Sequence, residues 1–142
     1  MIASRYHDIS CGHVISGHPG KCGNLHGHNY RITFSCSGLS QEPMCSYADE
    51  PDYWIDFSDI KTTLCQWLED NWDHRFLVWE NDSRCAELRL IDQAVLGVPF
   101  NPTAENMAKF LLDVVGPAQL PKGVQLTKVV VEETRKCSAT AQ

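Results

Sequence analysis

The stretch KCGNLHGHNYRITFSC, Lys21 to Cys36, decides how the rest of the chain is read. In its second half Tyr30, Ile32, Phe34 and Cys36 alternate with Arg31, Thr33 and Ser35. That two-residue period is the mark of a half-buried strand, and Gly38 closes it. Carried back through HGHN, the same strand places His26 and His28 on one face, because residues two apart point the same way. The segment from Arg5 to Ile15 is the natural partner strand. SGHPGKCG then forms the connection, broken up by Gly17, Pro19, Gly20 and Gly23. Cys22 falls in this loop, folding over the histidine face.

Working outward, the apolar positions Phe57, Ile60, Leu64, Trp67, Leu68 and Trp72 recur at helical spacing, with Asp56, Ser58 and Asp59 suited to the helix start. A second amphipathic helix is predicted from NPTAEN, with Asn101 as N-cap, Pro102 at the first position, and Met107, Phe110, Leu111, Val114 and Val115 as its buried stripe. Gly116 and Pro117 are expected to stop it. VQLTKVVVEET, Val124 to Thr134, is rich in β-branched residues and predicts a further strand. The order strand, strand, helix, helix, strand describes an α+β domain spanning 1–142.

The 142 residues fit one domain. They are 43% hydrophobic and 21% charged, with a formal net charge of -6, which argues against a nucleic-acid or anionic-membrane partner. No apolar run approaches the length of a membrane span, and MIASRYHDIS lacks the apolar centre of a signal peptide, so a cytoplasmic location is expected. Seven cysteines is an odd number at irregular spacing. Most of Cys11, Cys36, Cys45, Cys65, Cys85 and Cys137 are therefore read as reduced packing residues, and Cys22 is set apart by its neighbours.

Two histidines at i and i+2 on a strand suit a metal ion, and a third ligand must come from elsewhere. His13, in the partner strand, is better placed than His7 or His18. Three histidines would leave a coordination position open, as in catalytic zinc; with Cys22 as fourth ligand the site would be closed and structural. Asp73 directly before His74 is either an acid-base pair, the carboxylate orienting the imidazole, or a loop dipeptide without a role. Glu133 shares a strand face with Val129 and Val131. It either contacts a ligand there or turns into water at the strand end.

Six motifs in chain order now resemble one family. They are the CxxxHGH of Cys22, His26 and His28, the upstream CGH ending in His13, IDFSDIK (Ile55 to Lys61), WDHRFL around Asp73 and His74, NPTAEN (Asn101 to Asn106), and the VEET ending in Thr134. Together they resemble the 6-pyruvoyltetrahydropterin synthase superfamily. The three-residue gap between cysteine and HGH is similar to its bacterial 6-carboxy-5,6,7,8-tetrahydropterin synthase branch, which serves queuosine and related 7-deazapurine biosynthesis.

The resemblance implies a tunnelling fold: a four-stranded antiparallel sheet with two helices on one face, assembling into trimeric barrels that stack as a homohexamer. It implies zinc on His13, His26 and His28, Cys22 as the catalytic cysteine, and Asp73 with His74 as the acid-base pair. Glu133 is then the anchor of the pterin ring, with Thr103 and Glu105 as further pocket residues. The implied reaction takes 7,8-dihydroneopterin triphosphate to 6-carboxy-5,6,7,8-tetrahydropterin, acetaldehyde and triphosphate. The alternatives are a pyruvoyl-type elimination, an aldolase-like side-chain cleavage, and a zinc or pterin binding module without turnover. Three departures stand out: Val14 replaces a frequent arginine, the tail KCSATAQ lacks an aromatic residue, and the segment from Trp79 to Pro99 is long.

Overall fold

The structure is a computed structural model that describes residues 2–38 and 55–142; Cys45 lies outside them. Its centre is the long antiparallel pair β1 (Ala3–His13) and β2 (His26–Gly38), in register from Ala3 opposite Cys36 to His13 opposite His26. β5 (Val124–Thr134) pairs with the other edge of β2, and β6 (Cys137–Ala141) with β5, both antiparallel. Two short strands, β3 (Phe76–Trp79) and β4 (Val95–Val98), extend the β1 side in parallel. The sheet order is β4-β3-β1-β2-β5-β6.

The expectation of four antiparallel strands is corrected here: those four are present, but the sheet is six-stranded and mixed. FLVW and VLGV are short apolar runs without alternation. Runs of four residues are too short for a two-residue period to show, and β3, buried at Leu77 and Val78 on successive positions, has none, so periodicity does not mark them. β4 and α3 (Cys85–Ile91) fill the long segment between Trp79 and Pro99.

One face of the sheet carries Ile9, Cys11, Tyr30, Ile32, Phe34, Cys36, Leu126, Val129 and Val131, all buried. Against it packs a helical run made of α1 (Phe57–Ile60), a wide π-type turn (Lys61–Cys65) and α2 (Gln66–Asn71). It contributes Ile60, Leu64, Leu68 and Trp72 to the core. Asp56 and Asp59 close its start as a capping box, Asp56 accepting from the Ser58 amide at 2.7 Å and Asp59 from the Asp56 amide at 3.2 Å. The hydroxyls of Thr62 and Thr63 donate back to the carbonyls of Ser58 and Asp59. Such back-bonds compete with the amide ladder and favour the local widening. The opposite sheet face is polar, with an Asp8–Arg31 pair and Ser10 bonded to Asn29.

The second run begins later and ends later than expected. Asn101 is not its cap, because the Asn101 side chain is spent on Ser16, accepting from its amide and donating to its carbonyl, each at 2.9 Å. Thr103 caps instead, and the run goes from α4 (Ala104–Phe110) through a π-type turn (Leu111–Val115) into α5 (Gly116–Gln119). Pro117 lacks an amide proton, and the wide turn before it absorbs the missing bond, so Pro117 begins a last turn rather than ending the helix. Gly116 is required by packing, since a Cβ there would stand 2.7 Å from Cδ2 and 2.9 Å from Cβ of Leu126. No helix among the described residues is long and apolar enough to cross a membrane.

Candidate active site

The β1–β2 register carries His13 and His26 to directly opposed positions, and His28 follows two residues on along the same face. Gly12 and Gly27 face each other between them; a Cβ on Gly27 would meet the Cys11 carbonyl oxygen at 3.0 Å, so the HGH glycine lets the strands close. His13 Nδ1 lies 2.7 Å from the Pro102 carbonyl, and His26 Nδ1 2.8 Å from the Asn24 carbonyl. A carbonyl only accepts, so both Nδ1 atoms carry the proton and both Nε2 atoms present lone pairs. Those two Nε2 atoms nevertheless sit 3.0 Å apart. The ligand atoms of His13, His26 and His28 all lie within 4.8 Å of one another, and His28 Nε2 is buried without a hydrogen-bond partner. Burial pushes the pKa of His13 and His28 downward, which keeps them neutral. Convergent lone pairs on neutral imidazoles repel unless a cation lies between them, so this cluster is built to hold a metal ion.

Glu133 stands beside the cluster. The β5–β6 register shifts between Glu132 and Thr134, and Oε1 of Glu133 reaches to 3.5 Å from His13 Nε2 and 3.4 Å from His28 Nε2. The Tyr30 hydroxyl donates to the same oxygen at 3.5 Å. Burial raises the Tyr30 pKa, with the Glu133 charge adding to it, so the hydroxyl keeps its proton and remains a donor. Glu133 also lines a cavity of about 310 Å³ together with Cys22, Thr103, Glu105, His18 and Cys137.

Cys22 sits in a single 3-10 turn (Lys21–Gly23), outside the metal cluster. Its carbonyl accepts from the Ile15 amide at 2.9 Å, and Nη1 of Arg84 donates to the carbonyl of the next residue, Gly23, at 3.0 Å. Arg84 is itself held by Asp82, with Nε to Oδ1 at 2.9 Å and Nη2 to Oδ2 at 2.7 Å.

Asp73 and His74 take a different position. Asp73 accepts the Ser10 amide at 2.8 Å and the His74 ring at Nδ1 at 2.7 Å, while the His74 amide donates to the Ser10 carbonyl. Burial pushes the Asp73 pKa up, but the bonds from Ser10 and His74 outweigh it and the carboxyl ends below its ordinary value. His74 adopts φ 55, a left-handed conformation that costs about 1–2 kcal/mol for a non-glycine residue. Its side chain is 82% exposed and opens into a second cavity, lined also by Ser10 and Asn29, rather than into the one that holds Cys22. Within one chain, then, Cys22, Thr103, Glu105 and Glu133 line one cavity, from which Glu133 reaches His13 and His28, and the Asp73–His74 pair opens into the other, which His28 also lines.

The family model for 6-pyruvoyl tetrahydropterin synthase matches residues 2–142. The chain belongs to this family. Among its relatives, the 6-carboxy-5,6,7,8-tetrahydropterin synthase of Haemophilus influenzae is 32% identical over 114 residues, covering 78% of each chain. The protein of the same name from Aquifex aeolicus is 33% identical over 130 residues, covering 84% of this chain and 74% of that one. Among solved structures, 6-pyruvoyl tetrahydropterin synthase from Caenorhabditis elegans superposes with a TM-score of 0.68 at 22% identity, covering 100% of this chain and 94% of that one. An uncharacterized protein from Wolinella succinogenes gives a TM-score of 0.79 at 17% identity, covering 99% and 97%. At those identities the structural likeness speaks for the fold.

In this member of the 6-pyruvoyl tetrahydropterin synthase family, several site neighbours escape a reading of sequence alone. Tyr30 continues the HxH spacing by two residues, a signal that was available. The Pro102 and Asn24 carbonyls, His18, and the Asp82–Arg84 clamp carry no such signal. Cys137 is the exception among the described cysteines read as packing residues, exposed at the cavity because β6 runs along the sheet edge. Cys11, Cys36, Cys65 and Cys85 are buried, and burial raises the Cys11 thiol to about 12 and the Cys36 thiol to about 11.

Proposed function

We propose that this chain holds a zinc ion on His13, His26 and His28 and converts 7,8-dihydroneopterin triphosphate to 6-carboxy-5,6,7,8-tetrahydropterin, a step toward queuosine and related 7-deazapurines. The observation that carries the metal is the meeting of the His13 and His26 Nε2 lone pairs at 3.0 Å beside the orphaned His28 Nε2. An all-histidine donor set that leaves a position open suits catalytic zinc. The relatives' name supports the reaction.

Zinc in this position supplies Lewis-acid stabilisation of negative charge developing on the substrate side chain. Glu133 accepts hydrogen bonds from the pterin's guanidine-like edge, with Thr103 and Glu105 completing the pocket. Cys22 faces the same cavity and removes a side-chain proton as thiolate. His74, oriented by Asp73, exchanges protons on the other side of the reacting carbons. That dyad opens away from the Cys22 cavity in one chain, so it meets the substrate from a neighbouring copy, consistent with a homohexamer of two trimers. One water enters: two of the three side-chain carbons leave as acetaldehyde, the third keeps its oxygen and gains the second carboxyl oxygen, and triphosphate departs with its bridging oxygen.

The test is incubation of the metal-loaded protein with 7,8-dihydroneopterin triphosphate, with pterins read by mass spectrometry and acetaldehyde by reduction with an alcohol dehydrogenase. Equal amounts of acetaldehyde and carboxytetrahydropterin are expected. A diketo product without acetaldehyde makes the chain a pyruvoyl-type synthase, side-chain release with triphosphate still attached an aldolase-like one, and binding without turnover a pterin-holding module.

A further inference from the structure

We infer that Glu133 is a fourth, displaceable ligand of the metal, closing the site in the empty enzyme and releasing it when a pterin enters. The inference deepens the reading above, since the entering ligand is the pterin of that reading.

Geometry carries it. Two donor atoms each about 2.0–2.1 Å from a tetrahedral zinc stand about 3.3 Å apart. The two Nε2 atoms of His13 and His26 are 3.0 Å apart, and Glu133 Oε1 is 3.5 Å from His13 Nε2 and 3.4 Å from His28 Nε2. The carboxylate oxygen thus stands where a fourth donor belongs. Its approach to His13 is not a hydrogen bond, because His13 Nδ1 already carries that ring's proton toward Pro102. His28 Nε2 has no hydrogen-bond partner at all, although Glu133 is its neighbour. An anionic oxygen facing nitrogen lone pairs is repulsive on its own and attractive around a cation.

The second half of the inference rests on where else Glu133 reaches. The same residue lines the 310 Å³ cavity that holds Cys22, so it forms the partition between metal and cavity. Its side chain is 26% exposed, which leaves it room to turn, and the weak 3.5 Å bond from Tyr30 holds it only loosely. A pterin that offers N–H groups in the cavity and an oxygen at the metal replaces both roles at once. The acid then moves from the cation to the ring.

The experiment uses the full chain loaded with Co²⁺, whose visible spectrum reports ligand number and type. Glu133→Ala and the isosteric Glu133→Gln are compared with the wild type by spectrum and by competition against a chelator, with circular dichroism confirming the fold. Activity is not the readout, since both variants are expected to lose it. Glu133→Ala is expected to weaken Co²⁺ binding about 10- to 100-fold, the scale seen when a group supporting a metal site is removed, and to change the spectrum. Neopterin added to the wild type is expected to shift its spectrum. A variant with wild-type affinity and spectrum overturns the inference and leaves the proposed reaction standing. Glu133-dependent spectra without acetaldehyde production do the reverse. Should Glu133→Ala not fold, the same comparison with Glu133→Gln decides the matter.

Discussion

Arg84→Met removes the clamp on the cysteine turn while keeping most of the side-chain volume. The wild-type guanidinium makes two bonds to Asp82 and one to the Gly23 carbonyl. Asp82 is the partner at risk, because its side chain is only 3% exposed while that of Arg84 is 40% exposed. Leaving a buried acceptor unsatisfied costs about 1–3 kcal/mol. Asp82 retains the Arg84 amide at 2.9 Å, and the exposure of the lost partner weakens the pair further, so the lower part of that range, about 1–2 kcal/mol, applies. For a chain of this size that is roughly 3–8 °C in Tm.

The same pair fixes a pH signature. The Arg84 guanidinium holds the Asp82 carboxyl far below its ordinary 3.8. A depressed carboxyl stabilises the fold above its unfolded pKa and loses that contribution as pH falls toward its folded one. Wild-type Tm should therefore drop more steeply below about pH 4 than that of Asp82→Asn. Loosening the turn also exposes Cys22 to alkylation, so iodoacetamide labelling of the Cys22 peptide, read by mass spectrometry, should accelerate in Arg84→Met. A variant that melts within 1 °C of wild type and labels at the wild-type rate would refute the clamp.

Cys22→Ala is expected to keep one metal per chain while turnover falls by about 10²–10⁴-fold, the usual worth of a positioned base. Loss of the metal, read by elemental analysis, would sink the assignment of Cys22 as base. Stripping the metal with dipicolinate should lower Tm. At a free metal concentration 100 times Kd the ion contributes about 2.7 kcal/mol, and His28→Ala should no longer respond to added metal. Gly116→Ala gains roughly 1 kcal/mol in helix propensity but forces its Cβ into Leu126, at a cost of about 1–3 kcal/mol. A net loss in urea unfolding is expected, and a stabilised variant would show that the helix and strand can part freely.

What the sequence made legible follows interaction range. β2, β5 and the two helical runs are long and periodic, so alternation or helical spacing exposed them. The three histidines were legible for the same reason: two are i and i+2 on one strand, and the third ends its antiparallel partner. β3, β4 and β6 are short, and neighbouring chain decides them. The extension of the second helical run past Pro117 needed knowledge of a π-type turn that no local residue announces. Asn101 misled because its side chain prefers a partner 85 residues away to its own helix.

The site divides along that line. Metal ligands had to be rigid and close, and a regular β ladder delivers both from a pattern of three residue types. The cavity has to admit and release a ligand. It is assembled from a loop turn, a helix cap and the bulged end of β5, none of which repeats. Glu133 belongs to both groups, being in a recognisable strand yet aimed by the register shift at its end. Had the β5–β6 ladder stayed regular, the acid would be held by cross-strand neighbours like the valines before it. The bulge unpairs that strand end, and a carboxylate freed there can face the histidines or the cavity. Insertion of one residue into β6 opposite Glu133 would restore the ladder, and should fix the acid in one position at the expense of the other.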